Sequence, residues 1–370
     1  MSTEPSATAA APRWVAFRYR DFRFVFAGRI LSATATAMLQ VAIGWEMWRL
    51  TADPFILGLV GLVLFVPNLV FFMPAGAVAD KFPRRWVLVC SYGLQAAAAF
   101  LLWLVFTSEA PSVVLVLSVL FIVGTGRTFA APASQALVPN VVPPEHFPNA
   151  VGWTNATWEL AVIVGPMMGG ALLVAGATKV FALVAVAYLG NTLLMAALHT
   201  RVQEMSTEPV SVKSLLAGLR YIFNRQIILG AVSLDLFAVL LGGATALLPV
   251  FATDILHFET PELGLGLLRS SIAVGAVACG LAIIYLPVRR HAGAILLATV
   301  ALFGAAIVVF GLSTWVWLSM IALAISGATD MVSVYIRQTL IQLATPDAMR
   351  GRVQAVNSVF TYSRPRASPR

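Results

Sequence analysis

Charge is what this chain has least of. Of its 370 residues only 11% are Asp, Glu, Lys or Arg, while 59% are hydrophobic. No soluble domain buries that proportion of apolar side chain, so the composition excludes a water-soluble globule and implies a polytopic membrane protein. The two cysteines, Cys90 and Cys279, each lie inside an apolar run and read as small helix-packing residues that carry no information on redox compartment. The four histidines, His146, His199, His257 and His291, fall in loops or at helix ends, which suits solvated groups better than proton carriers. No G-x-x-x-x-G-K-[ST] phosphate loop occurs, which disfavours an ATP-driven pump. Neither H-E-x-x-H nor G-x-S-x-G occurs, which disfavours an intramembrane enzyme. Neither a metal nor a cofactor is expected. Residues 1–12 lack the basic n-region and cleavage site of a signal peptide, and the Asn155-Ala-Thr157 sequon falls in a predicted helix.

The net charge of +8 does not point to nucleic acid, because the basic residues fall in short loops and not on a polar domain. Apolar runs of spanning length lie at 22–48, 55–76, 86–107, 112–134, 153–176 and 179–199. A polar segment at 200–226 carries Arg201, Lys213, Arg220 and Arg225, and four more runs follow at 227–252, 264–287, 291–313 and 315–340. The expected organisation is an N-terminal six-helix half (1–199), a cytoplasmic linker (200–226) and a C-terminal half (227–370) holding helices 7–10 and the start of an eleventh. Residues 1–21 are expected to be a polar cytoplasmic lead-in. With the N-terminus inside, the basic 77–85, 200–226, Arg289-Arg290 and Arg350/Arg352 segments are all cytoplasmic. The acidic 253–263 loop (Asp254, Glu259, Glu262) lies on the other side, and Trp45, Trp48, Trp315 and Trp317 sit where an aromatic belt belongs. Residues 135–149 break the pattern, being an expected cytoplasmic loop without Lys or Arg.

An internal repeat runs at an offset near 204. Arg84-Arg85 matches Arg289-Arg290, and Gln135-Ala136-Leu137 matches Gln338-Thr339-Leu340, each followed by Pro and an acid (Pro144-Glu145, Pro346-Asp347). Two homologous halves joined by a cytoplasmic linker form a site at the repeat interface. By this correspondence residues 353 onward open helix 11. The sequence then turns to Thr361-Tyr-Ser-Arg-Pro-Arg-Ala-Ser-Pro-Arg370, which cannot continue a membrane helix. The expectation is a chain truncated after the start of helix 11, with a non-transporting or poorly active product as the alternative reading.

Three groups of residues stand out. In the stretch Pro74–Arg85, Gly76 and Ala77 are small enough to let helix ends approach, Asp80 can accept N–H groups at a neighbouring helix N-terminus, and Lys81, Arg84 and Arg85 hold a loop on the cytoplasmic side. On charge alone this is simply a basic loop. In Gly165-Pro166-Met167-Met168-Gly169-Gly170 the glycines allow close backbone approach and Pro166 frees a carbonyl, though ordinary small-residue packing accounts for them too. Ionisable residues inside the runs are Arg29, Glu46, Arg127, Glu159, Asp235, Arg269, Asp330 and Arg337. Such residues are functional candidates by default. Glu46, Arg269 and Arg337 lie near helix ends, where snorkelling suffices, and Glu159 admits either reading. Arg29, Arg127, Asp235 and Asp330 are deeper. Overlaying the halves sets Arg29 opposite Asp235 and Arg127 opposite Asp330, so Arg–Asp pairs are expected to bridge the halves in a cytoplasmic, proton-sensitive gate.

Gly76, Asp80, Arg84 and Arg85 match the G-x-x-x-D-x-x-x-R-R signature between helices 2 and 3 of major facilitator superfamily transporters. The 165–170 segment resembles that superfamily's helix-5 antiporter motif, with Gly152 at its first spaced glycine and Ala161 at its second, where the motif has Gly. Leu234-Asp235-Leu-Phe, Gly242-Gly243-Ala-Thr-Ala-Leu-Leu-Pro249, Gly327-Ala-Thr-Asp330-Met331-Val-Ser333 and Thr345-Pro-Asp-Ala-Met-Arg350-Gly-Arg352-Val look like the branch related to the enterobactin exporter. The resemblance implies an all-α, two-half helix bundle in the bacterial inner membrane, monomeric, with helices 1, 4, 7 and 10 around a central cavity. It implies proton-driven antiport of a small molecule, a catechol siderophore or a lipophilic drug. It also implies that Asp80 engages the start of helix 11 in one of two transport states.

Overall fold

The computed structural model describes residues 14–199, 230, 233, 243–285 and 292–344. These residues form helices and turns without a strand. The first six helices are α1 (Arg20–Thr51), α2 (Pro54–Lys81), α3 (Arg84–Thr107), α4 (Val113–Val141), α5 (Phe147–Val174) and α6 (Ala177–Ala196). A short turn, α7 (Leu248–Val250), follows between the 3-10 segment Gly243–Leu247 and the π turn Phe251–Ile255. The last three are α8 (Pro261–Tyr285), α9 (Ala292–Leu312) and α10 (Val316–Ala344). All except α7 are long and apolar enough to span a bilayer. The 200–226 linker, most of the expected helix 7 and everything from residue 345 onward lie outside the described residues.

Local chemistry explains the helix ends. Between α1 and α2, Ala52 turns left-handed at φ 48° and donates its N–H to the Trp48 carbonyl. Asp53 then caps α2 by accepting from Phe55 N at 2.8 Å, with Pro54 in the first helical position. At the other end of α2 the expected loop over 77–85 shrinks to Phe82 and Pro83. Nothing in Ala77-Val-Ala-Asp-Lys81 interrupts a helix, and the residue before Pro83 is where helical geometry becomes unfavourable. Likewise α4 continues to Val141. The 135–149 stretch without Lys or Arg is therefore mostly helix, which accounts for the missing topological charge.

Packing proceeds by small residues, as it must where lipid removes the hydrophobic drive between helices. In the first six helices α1 packs on α5 and α6, α3 on α4 and α6, and α2 on α4. In the later ones α10 packs on α8 and α9. The repeat reappears here in three dimensions. Helices α4 and α10 are both 29 residues long and begin 203 residues apart (316 − 113). Gly124 on α4 admits α2 so closely that a Cβ there would lie 2.9 Å from the Leu64 carbonyl oxygen. At the same offset Gly327 on α10 meets the Ile272 carbonyl of α8.

Residues 14–18, expected as part of a polar lead-in, are a packed element. Val15 and Ala16 are buried, and Ala16 N donates to Asn149 Oδ1 at 3.3 Å. Trp14 stacks on Trp153 with ring centroids 4.3 Å apart, and Phe17 meets Phe22, Phe26 and Trp153 edge-on. The short apolar run Trp14-Val15-Ala16-Phe17 thus ties the start of α1 to α5.

Candidate functional site

Among the described residues, the six-helix unit meets the later helices mainly where α5 packs on α8. The glycine-rich segment of α5 creates this junction. A Cβ on Gly165 would lie 2.5 Å from Ala37 Cβ of α1, and one on Gly169 would lie 3.1 Å from Met38 Cα. Gly170 faces α8, where a Cβ would lie 2.6 Å from the Glu262 carbonyl oxygen and 3.1 Å from Gly266 Cα. Gly266 returns the contact, since a Cβ there would lie 2.7 Å from the Pro166 carbonyl oxygen. Ser270 Oγ on α8 donates to the Ile163 carbonyl at 2.8 Å. Trp48 Nε1 at the end of α1 donates to Thr253 Oγ1 at 3.1 Å. These contacts bring the two groups of helices together toward the end that carries the α1–α2 turn.

Beneath that closure lies a cleft that is partly open to solvent. Its walls are Ala33, Thr36, Ala37 and Gln40 of α1, Arg127 of α4, Trp158, Val162 and Pro166 of α5, Thr245 ahead of α7, and Arg269 and Ile272 of α8. Pro166 has no N–H, so the Val162 carbonyl four residues earlier loses its intrahelical donor within the same wall. Thr36 Oγ1 donates to the Ser32 carbonyl at 2.7 Å. Its one proton is thus used, and the buried Tyr188 hydroxyl is the donor in their 2.9 Å contact. Arg269 Nη1 and Thr245 Oγ1 are buried without a hydrogen-bond partner among the described residues.

Two arginines taken as snorkelling residues are placed otherwise. Arg269 starts only eight residues into α8 yet faces the cleft. Arg337 is 1% exposed and so does not reach a membrane surface. Glu46 is also buried and is bridged to the exposed Arg49 at 3.1 Å, so here Arg49 is the side chain that reaches outward. The depth of Arg127 also changes. It stands fourteen residues from the end of α4, about 21 Å along the axis, so it belongs to the middle of the bundle and not to one end. Arg29 and Asp330 are half-buried on α1 and α10 and, like Arg127, are engaged by neighbouring groups. Asp235 lies outside the described residues.

The charged α2–α3 corner acts through hydrogen bonds to helix ends. Arg84 Nη1 donates to the Ala136 carbonyl at 2.7 Å and to Asn140 Oδ1 at 3.2 Å, in the last turns of α4. Arg85 Nη2 donates to the carbonyl of Ala196, the last residue of α6. Both guanidinium groups thus sit at helix C-termini, where the dipole favours cations. Asp80 is half-buried in the last turn of α2, a position where the same dipole disfavours a carboxylate. Its expected partner near 350–360 lies outside the described residues. Among the described residues a Cβ on Gly76 or Gly152 would meet nothing within 4 Å. Ala161 is buried at 4% exposure, so the alanine methyl is accommodated at the place of the second spaced glycine.

Residues 11–364 match the family model described as transmembrane secretion effector. The enterobactin exporter EntS of Citrobacter koseri is 26% identical over 336 residues, covering 90% of this chain and 80% of that one. The fold is similar to that of the nucleoside transporter NupG, with a TM-score of 0.69 at 15% identity, covering 93% of this chain and 87% of that one. It is also similar to an inward-facing bacterial homologue of the iron transporter ferroportin, with a TM-score of 0.65 at 16% identity and 93% and 91% coverage. A model matching nearly the whole chain, on a bundle of bilayer-length helices around a central cleft, decides the assignment: the chain belongs to the transmembrane secretion effectors of the major facilitator superfamily and is a multi-pass membrane transporter, not an enzyme.

Proposed function

We propose that this protein is a secondary active exporter that moves a small organic molecule out of the cytoplasm in exchange for protons. The observation that carries the reading is the cleft between α1, α4, α5 and α8, placed beneath the α5–α8 glycine junction. A site at the interface of two repeats, closed on one side, is what alternating access requires. In this reading residues 1–199 and 227–370 are the two halves, 200–226 is the cytoplasmic linker, and the N-terminus is cytoplasmic. The α1–α2 end then faces outward, and its closure makes this the inward-facing state. The protein works as a monomer. Arg29, Arg127, Asp235 and Asp330 form the charged network that responds to protons, and Asp80 holds the 350–360 segment in one of the two states. The cargo is a siderophore, as the name of the Citrobacter relative suggests, or a lipophilic drug.

The test is transport by the purified chain in sealed vesicles with an imposed pH gradient, using enterobactin and a lipophilic dye as probes. Efflux of at least one probe is expected to depend on the gradient and to stop with an uncoupler. Asp235→Asn and Asp330→Asn are expected to keep probe binding and lose the dependence on the gradient. Gradient-independent movement by the unaltered chain, or unaltered coupling in both variants, would overturn the antiport reading.

A further inference from the structure

The cleft holds one buried guanidinium, that of Arg269, whose Nη1 has no acceptor among the described residues, whereas Arg127 in the same lining is engaged by neighbouring groups. Arg127 and Arg269 stand on walls contributed by different helices, and no Asp or Glu is among the lining residues described. Glu159 follows Trp158 in sequence, but successive helical residues are turned by about 100°, and Glu159 is not part of the wall. Arg269 offers the Nη1 hydrogens, and Thr245 a hydroxyl, with no protein acceptor among the described residues. A buried guanidinium left in this condition is costly unless something brings a compensating charge. Trp158, Val162 and Ile272 supply the apolar and aromatic surface beside these polar groups.

We infer that the cargo of this cleft is an organic anion with an aromatic body, its negative group held by Arg269 and Thr245 and its ring set against Trp158. The inference rests on the reading of the cleft as the cargo site. A cationic cargo would be repelled by the Arg269 guanidinium, and a neutral one would leave it without a counter-charge. A planar carboxylate or related oxyanion accepts from a guanidinium fork in a geometry that a neutral amide cannot reproduce.

The experiment is equilibrium binding to the purified full chain in detergent, without any gradient, using three probes of one shape. These are 2-naphthoate, its neutral analogue 2-naphthamide and the cation 2-naphthylmethylammonium. Naphthoate is expected to bind about tenfold more tightly than the amide, the size of effect that a charged hydrogen bond produces, and the cation is expected to bind most weakly. Arg269→Gln is expected to remove the preference for naphthoate over the amide, with an unfolding temperature close to the parent's showing that the bundle has folded. Arg269→Lys is expected to keep part of the preference. Equal binding of naphthoate and amide by the unaltered protein, tighter binding of the cation, or a full anion preference in Arg269→Gln would overturn the inference. The probe comparison in the unaltered protein decides the charge class even if a variant fails to fold. Gradient-driven efflux with no anion preference would refute this cargo class and leave the exporter reading standing. Anion preference without gradient-driven efflux would do the reverse.

Discussion

At the scale of single residues, position along a helix and orientation around it carry different information. Counting residues from the end of an apolar run gives height in the bilayer, and on height alone Arg269 is an end residue with a long side chain. Which way it points depends on the face that α8 buries against α5. That face is set by Gly266 and Ser270, whose partners Gly170, Pro166 and Ile163 lie about a hundred residues earlier. Arg84 and Arg85 show the same division. Their charge and spacing are legible in the sequence, but the groups they bind include backbone carbonyls at Ala136 and Ala196, which have no sequence signature. Because each arginine ties the start of α3 to another helix end, Arg84→Ala and Arg85→Ala are each expected to lower stability by about 1.5–3 kcal/mol, the range for hydrogen bonds to charged groups. Arg84→Lys is expected to lose less than Arg84→Ala, since one ammonium can serve both acceptors. Thermal unfolding in detergent measures this. Unfolding temperatures equal to that of the parent would mean that these contacts contribute nothing to holding α3 in place.

At the scale of elements, the apolar runs predict every long helix described here, because the thickness of a hydrocarbon core imposes a length that composition cannot hide. Their ends are harder to read, since Ala77–Lys81 and Gln135–Val141 are polar or mixed yet still helical. The repeat is visible as paired Arg and Gln positions. Its structural content lies in Gly124 and Gly327, each of which admits the backbone of a neighbouring helix. The glycines of α5 divide similarly, with Gly165 and Gly169 turned to α1 and Gly170 to α8. Gly170→Val therefore drives side-chain carbons into the Glu262 carbonyl and Gly266, and the relief is separation of α5 from α8 at the α1–α2 end. A cysteine introduced at the fully buried Ala252, with Cys90 and Cys279 replaced by serine, reports on that end. Labelling of Ala252→Cys by an impermeant maleimide is expected to rise several-fold when Gly170→Val is added. Unchanged labelling in a folded protein would show that the glycine contact does not hold this end shut.

At the scale of the whole molecule, the charge of the cargo and the direction of proton flow together determine which force drives the cycle. For one-to-one exchange, a proton entering moves one positive charge inward, and a monovalent anion leaving moves a second. A neutral cargo would move only the proton's charge. Each elementary charge crossing a potential of 100 mV is worth about 2.3 kcal/mol, so anion export gains about 4.6 kcal/mol per cycle from such a potential and neutral export about half of that. The inferred anionic cargo and the proton-exchange reading therefore make a joint prediction that neither makes alone. In vesicles without a pH gradient, a potassium diffusion potential of the orientation that draws protons through the protein is expected to drive 2-naphthoate the other way. Reversing the potential is expected to stop it. The same potential is expected to drive 2-naphthamide less steeply, with the initial rate rising about half as much on a logarithmic scale where charge movement limits the rate. Arg269→Gln is expected to reduce naphthoate transport while leaving the slope for the amide unchanged, because the proton still carries its own charge. Naphthoate transport indifferent to potential would mean that compensating ions move with it, and the one-for-one exchange of an anion for a proton would then be wrong.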